Sequence, residues 1–330
     1  MNSKVRVGMI GCGGALGGHM RRLAAMDNVE VVGLADPSKE TLARWKEHFD
    51  CLSSVPTFSD HKEMLKKVEM DAVEIGSPHC FHYEQICDSL EKGLHVLCEK
   101  PMVCTVQHAE DVLARVDGRV FQVSYQRHFQ PAFRHMRDAI RRGEIGEIQY
   151  VAALQCQNWF ESQKGRWRQN MAFSCGGQLN DSGSHLIDIV LWVSGLQADE
   201  VFAYSDNFGC EVDINSAVNI KFTSGAQGTF NIVGRFPAGF WEDISFVGRD
   251  GALMIRQGKL SQVTKGSQPV EVTPDYAPND PDANFIGAIL GKEEIQAPPE
   301  CGLRVIEVTE LAWKSTASGQ PEKLNGANHV

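Results

Sequence analysis

The chain has 330 residues, of which 42% are hydrophobic and 22% charged, with a formal net charge of −10 and a pI near 5.6. Such a length predicts two domains of an ordinary soluble globular protein, and the acidic balance argues against a nucleic-acid surface. No apolar run reaches the length of a bilayer span, and MNSKVRVGMIG lacks the charged leader and apolar core of an export signal, so a cytoplasmic location is the default expectation.

The first part of the chain alternates two patterns. VRVGMIG (5–11) is a short apolar run, followed by a helical pattern through Leu23. VEVVGLAD (29–36) is a second run, leading to a charged segment at 38–49. DAVEIGSP (71–78) precedes HYEQICDSLEKG, which Gly93 ends; HVLCEKP (95–101) precedes VQHAEDVLARV, and VFQVSYQ (120–126) follows. Strands alternating with helices of this length predict a doubly wound α/β domain on a parallel sheet, assigned to residues 1–124. Beyond it, PAFRHMRDAIRRG (131–143) reads as a helix. IQYVAALQCQ, VFAYSD, SAVNIKFTSG, AQGTFNIVG, WEDISFVG and GALMIRQ then read as strands joined by glycine turns such as TSGA and GRDG. A last helix covers 303–319. Residues 125–330 are therefore expected to form an α+β domain with an open, mainly antiparallel sheet.

Ten cysteines stand at 12, 51, 80, 87, 98, 104, 156, 175, 210 and 301, with no C-x-x-C pair. They are expected to be reduced, mostly buried small apolar residues, and no metal site is expected.

GCGGALGGH (11–19) follows the first strand and opens a helix. Gly11 suits a sharp turn, and Gly13 lets the backbone approach a pyrophosphate; the N–H groups of residues 13–16 then face the anion at a helix N-terminus. The G-x-G-x-x-G spacing fails, because Leu16 stands where the third glycine belongs. Asp36 ends the second strand, where a carboxylate can accept hydrogen bonds from a ribose diol and repel a 2′-phosphate. NAD is therefore the expected cofactor; Ser38 and Lys39 lie near enough to admit NADP, although Ser38 also reads as a helix N-cap. The carboxyl ends of later strands carry Ser77-Pro78-His79 and Cys98-Glu99-Lys100-Pro101, and Pro101 confines Lys100 to extended backbone. In GGQLNDSGSHLIDIVLWVSG (176–195), Asp181, His185 and Asp188 share one face if the whole stretch is helical, which makes them either a solvated stripe or a functional set.

Together these pieces resemble the Gfo/Idh/MocA family of sugar and cyclitol oxidoreductases over nearly the whole chain. The resemblance rests on GCGGALGGH, Asp36, DAVEIGSPHCFHYEQ, GLHVLCEKPM, YQRHFQP, GEIGEI, WRQN and GGQLNDSGSHLID. It implies NAD-dependent oxidation of a secondary hydroxyl of a sugar, sugar derivative or cyclitol, without a metal. It makes Lys100, Asp181 and His185 catalytic. Gly11, Cys12, Gly13, Gly14, Ala15, Leu16 and Asp36 would hold the dinucleotide, with Ser77, Pro78, His82, Glu99 and Lys100 on the nicotinamide side and a cis Lys100–Pro101 bond. Gln126, Arg127, Trp167 and Arg168 would approach the cofactor. Lys100, Arg127, Trp159, Arg168, Asp181 and His185 would contact the substrate. His185, with an ordinary imidazole pKa of about 6.5, would be the general base, a role sequence does not divide between His185 and Lys100. The open face of the second sheet would make a homodimer or homotetramer. His128 departs from the family pattern, standing where a second arginine is frequent. Two other functions fit the same residues: a redox-neutral glycosidase or epimerase that keeps its NAD captive, and a non-catalytic nucleotide-binding member.

Overall fold

The computed structural model describes residues 4–324. The chain forms two compact units: residues 1–126 with 279–302, and residues 127–278 with the C-terminal segment from 303. The division thus falls two residues after the expected boundary. Residues 279–302, expected in the second domain, instead return to the first.

In the first unit, β1 (Val5–Ile10), α1 (Leu16–Ala24), β2 (Val29–Ala35), α2 (Lys39–His48), β3 (Thr57–Phe58), α3 (His61–Lys67), β4 (Ala72–Ile75), α4 (His82–Glu91), β5 (His95–Cys98), α5 (Val106–Arg115) and β6 (Phe121–Val123) follow one another. The six strands are all parallel, in the order β3-β2-β1-β4-β5-β6. The central strands are buried almost throughout, which is why they read as unbroken apolar runs instead of alternating ones. Ser38, Asp60 and Thr105 cap α2, α3 and α5 by accepting first-turn N–H groups. The returning segment carries a helix, Pro281–Ile289, whose Phe285 and Ile286 enter the core cluster of Val7, Met9, Leu16 and Leu34. Strand order reverses between β1 and β4, so the carboxyl ends of these two strands open the crevice in which such sheets bind ligands.

The second unit starts with α6 (Pro131–Arg141), β7 (Ile148–Cys156), the short helices α7 (Trp159–Ser162) and α8 (Met171–Ser174), and α9 (Gly183–Ser194). Strands β8 (Ala198–Asp206), β9 (Asn215–Phe222), β10 (Gln227–Val233), β11 (Trp241–Gly248), β12 (Gly251–Arg256), β13 (Lys259–Thr264) and β14 (Val270–Glu271) follow. After Pro281–Ile289 (α10), α11 (Pro299–Ser318) and β15 (Glu322–Lys323) complete the described chain. The nine strands make one sheet, β14-β13-β12-β11-β7-β10-β9-β8-β15, antiparallel except where β7 meets β10. Strand β9 alternates buried and exposed residues along its length, so one sheet face is covered and the other is open. Tyr150, Tyr204 and Val247 are exposed on its strands.

α11 starts four residues before the expected 303, and α3 and α10 lie where no helix was expected. All ten cysteines are thiols outside any disulfide; five are buried, four are half-buried and Cys51 is exposed, so burial is less general than expected. No described helix is long and apolar enough to cross a membrane.

Candidate active site

Gly11 leaves β1 with φ +82°, and a Cβ there would lie 2.5 Å from the backbone nitrogen of Ser77. Only glycine meets both conditions, so the turn after β1 can press against the end of β4. Gly13 and Gly14 are different. Neither has a positive φ, and a Cβ on either would meet nothing within 4 Å. The fold leaves open space above them, and Gly13, Gly14 and Ala15 are exposed. The Gly13 N–H donates to the Gly11 carbonyl at 2.8 Å. Of the expected run 13–16, the Gly13 amide is thus engaged within the turn, which leaves those of Gly14, Ala15 and Leu16. Ala15, the N-cap of α1, supplies no side-chain cap, so the first-turn amides are left to an external acceptor. A side chain on Gly13 or Gly14 would fill this cradle; without one it fits a pyrophosphate.

Leu16 is fully buried, and a Cβ on Gly76 would come within 2.5 Å of its Cγ. The third glycine of the familiar spacing is thus replaced by a glycine across the interface. The large residue sits on the helix and the small one at the end of β4. Cys12 contributes backbone only, since its side chain is buried 4.0 Å from the Ala35 carbonyl and burial raises its thiol far above the usual range. Asp36 follows β2, and its Oδ1 accepts the Ser38 N–H at 2.8 Å; Ser38 Oγ in turn accepts from Thr41 N–H. Ser38 is thereby the N-cap of α2.

Past β4, Ser77 Oγ donates to Gln85 Oε1 at 2.6 Å. His82 is fully buried, with Nδ1 2.9 Å from the Pro101 carbonyl and Nε2 2.9 Å from the Ser77 carbonyl. It ties the loop after β4 to the loop after β5 through both ring nitrogens. Burial pushes its pKa below the usual imidazole value, outweighing the two carbonyls that favour protonation. Lys100 follows β5, half-buried, and the Lys100–Pro101 bond is cis. Its backbone N–H donates to Glu99 Oε2 at 3.2 Å. Glu99 Oε1 accepts from Ser124 Oγ and from His19 Nε2, each at 3.1 Å. The first unit therefore brings the glycine turn, Ser77, Pro78, Glu99 and Lys100 to one edge of the sheet, after β1, β4 and β5.

In the second unit, Asp181 lies before α9 and is 4% exposed; its Oδ2 accepts from Trp159 Nε1 at 2.8 Å and Arg168 Nε at 3.0 Å. A carboxylate this buried needs such partners to remain charged. Trp159 packs with Val212 and Ile214, so its ring belongs to a core cluster and its indole N–H serves Asp181. Arg168 also lies over Trp167, 4.4 Å from the ring centroid. His185 occupies the first turn of α9 and is half-exposed, whereas every other residue from Gly183 to Val193 is buried. Asp188 is no solvated partner of it: Asp188 Oδ2 lies 2.7 Å from Nε2 of the buried His128, which stacks on Trp192. The single helical face expected for Asp181, His185 and Asp188 does not form, because α9 begins at Gly183. Gln126 is exposed at the end of the first unit. Arg127 is buried and pairs with Glu242 at 2.5 Å, so its charge is already compensated within the second unit.

Asp213 went unnoticed in the sequence. It is half-buried and accepts from the Gly177 N–H at 3.0 Å, the Leu179 N–H at 2.8 Å and Trp313 Nε1 at 3.0 Å. Burial raises its pKa, while these donors pull it down. A Cβ on Gly177 would lie 1.8 Å from the Asp213 carbonyl oxygen, and one on Gly176 would lie 2.3 Å from the Trp313 ring. The two glycines thus exist to seat the loop bearing Asp181 against this aspartate. Nothing near Asp213 in the sequence signals that role.

Residues 5–126 match the family model described as "Oxidoreductase family, NAD-binding Rossmann fold", and residues 133–254 match the "GFO/IDH/MocA C-terminal domain". The chain belongs to the GFO/IDH/MocA oxidoreductase family. Curated relatives include the rhizopine catabolism protein MocA of Rhizobium meliloti, 28% identical over 248 residues covering 72% of this chain and 74% of that protein. The NAD(+)-dependent scyllo-inositol 2-dehydrogenase of Bacillus subtilis strain 168 is 25% identical over 84% of this chain and 82% of its own. Levoglucosan dehydrogenase, solved in complex with NADH, shares the fold with a TM-score of 0.87 at 19% identity, over 98% of this chain and 100% of that one. This GFO/IDH/MocA member is accordingly an enzyme of the NAD-dependent sugar and cyclitol oxidoreductase family.

Proposed function

We propose that this enzyme oxidises a secondary hydroxyl of a sugar, sugar derivative or cyclitol. The observation that carries the reading is the placement of Lys100 directly after β5, on the same sheet edge as the open glycine turn after β1 and Ser77 after β4. NAD, when bound, supplies the hydride acceptor. The exposed cradle at Gly13–Ala15 would hold its pyrophosphate and Asp36 its ribose diol, which favours NAD over NADP. The Lys100 ammonium would stabilise negative charge developing on the substrate oxygen. His185, the one half-exposed residue in an otherwise buried stretch of helix, would take the hydroxyl proton. Asp181, held by Trp159 and Arg168, would orient the substrate hydroxyl or His185. The open face of the second sheet, with Tyr150, Tyr204 and Val247, is the surface through which a homodimer or homotetramer would form. Ten thiols outside any disulfide fit the reducing cytoplasm.

The test is NADH formation against a panel of aldoses, inositols, uronates and amino sugars, with Lys100→Ala beside the wild type. The variant should lose on the order of a thousandfold in kcat, about 4 kcal/mol of transition-state stabilisation, while NAD binding stays within a few-fold. Near-normal turnover in Lys100→Ala would remove the lysine from the reaction.

A further inference from the structure

Glu99 is held by a buried network that no part of the proposed chemistry uses. His19, from α1, is 2% exposed. Its Nδ1 lies 2.8 Å from Asp282 Oδ1 and its Nε2 lies 3.1 Å from Glu99 Oε1. Both ring nitrogens thus face carboxylates, with Ser124 Oγ also 3.3 Å from Nε2, and the doubly protonated imidazolium satisfies both carboxylates by donating twice. Asp282 belongs to the returning helix Pro281–Ile289, is itself fully buried, and also accepts from Arg22 Nε. Glu74 of β4 lies 3.6 Å from His19 Nδ1 and is fully buried.

We propose that His19 is a positioning residue for Lys100: clamped by Asp282, it fixes the Glu99 carboxylate, whose other oxygen holds the Lys100 backbone N–H. The returning segment 279–302 thereby acquires a function, since its Asp282 braces this chain of contacts from the far side of His19. The same histidine lies one helical turn inside α1, so the anion cradle and the lysine loop share a rigid support. The proposal rests on the reading of Lys100 given above.

The protonation states agree with the geometry. Burial alone would lower the His19 pKa, but Asp282, Glu99 and Glu74 together raise it to about 10. Burial and the neighbouring Asp282 push Glu74 well above the usual carboxylate range, so Glu74 carries the proton and Asp282 the charge, the latter stabilised by His19 and Arg22. The groups facing Glu99 include His19 from α1, Ser124 after β6, His82 from α4, and Cys98 and Lys100 on its own segment. His19 Nε2 is in direct hydrogen-bond contact with the Glu99 side chain.

His19→Gln preserves one donor and removes the charge. The expected result is a kcat at least tenfold lower with KM and NAD affinity little changed, and an acidic limb of the kcat profile displaced to higher pH, because Glu99 becomes easier to protonate. In an Glu99→Gln background the substitution should add almost nothing. A second readout needs neither substrate nor cofactor. Infrared difference spectra at neutral pH should show a second protonated-carboxyl band in His19→Gln, beyond the Glu74 band of the wild type, and this second band should be lost again in His19→Gln/Glu99→Gln. If that band fails to appear, or if the two substitutions act additively on kcat, the positioning role is wrong. If the band appears while no substrate is turned over by the wild type, the network stands and the dehydrogenase reading fails.

Discussion

The two units solve the same problem, holding charged side chains at fixed points, by different means. In the first, each candidate residue closely follows a strand, and the strand's place in a parallel sheet sets its position: the glycine turn after β1, Asp36 after β2, Ser77 after β4, Lys100 after β5. In the second, Asp181 lies on a loop before α9. Its location depends on Trp159, on Arg168 and on a loop seat provided by Asp213 and Trp313, residues far apart in the chain. Backbone topology positions the first set, and side-chain hydrogen bonds across long sequence separations position the second. A strand-end site is therefore readable as a motif, and a loop site supported by distant side chains is not.

This contrast can be broken at its strongest point by Gly11→Ala. The substitution places a Cβ 2.5 Å from Ser77 nitrogen at a φ of +82°, and a cost on the order of 3 kcal/mol is expected from strain and clash together. Urea unfolding should show that loss, and cofactor titration should show NAD affinity falling with it. A variant of wild-type stability would mean that the turn is not pinned against β4.

Asp213→Asn probes the other unit. The amide keeps the volume but loses the charge that serves three N–H donors, so stability should fall by about 1–3 kcal/mol. Turnover should drop while NAD affinity holds, because the damage is confined to the support of Asp181. Parallel loss of NAD affinity would show that the two units are not independent in this respect.

The non-additivity of a third pair of substitutions sharpens the comparison most. Gly76→Ala drives a methyl into Leu16 and should cost about 1–3 kcal/mol. Leu16→Ala alone leaves a cavity. The double variant should be less destabilised than the sum of the two, since the new methyl enters the vacated space. Additivity in this cycle would mean that Gly76 does not answer for the missing third glycine.

Much of the first unit is legible before folding is considered. Apolar runs of strand length, Ser38 as an N-cap and the glycine cluster at a strand end each state a local rule, and the sheet merely obeys them. The glycine spacing is a partial exception: the sequence shows Leu16 in the wrong place, but Gly76 becomes its counterpart only when β4 lies against α1. Pro281–Ile289 carried a readable signal, Asp280 as N-cap and Pro281 in the first turn, yet nothing local says that this helix rejoins the first unit.

The sequence by itself determined the strand-end residues, the dinucleotide turn and the order of the two folding patterns, because strand and helix periods and turn chemistry act over a few residues. Only the tertiary structure decided that Asp282 reaches His19, that Glu242 takes Arg127, that His128 takes Asp188 and that Asp213 seats the Asp181 loop. The reason is physical: a buried charge must find a partner wherever the chain brings one, and burial is a property of the assembled fold, not of any short stretch of sequence.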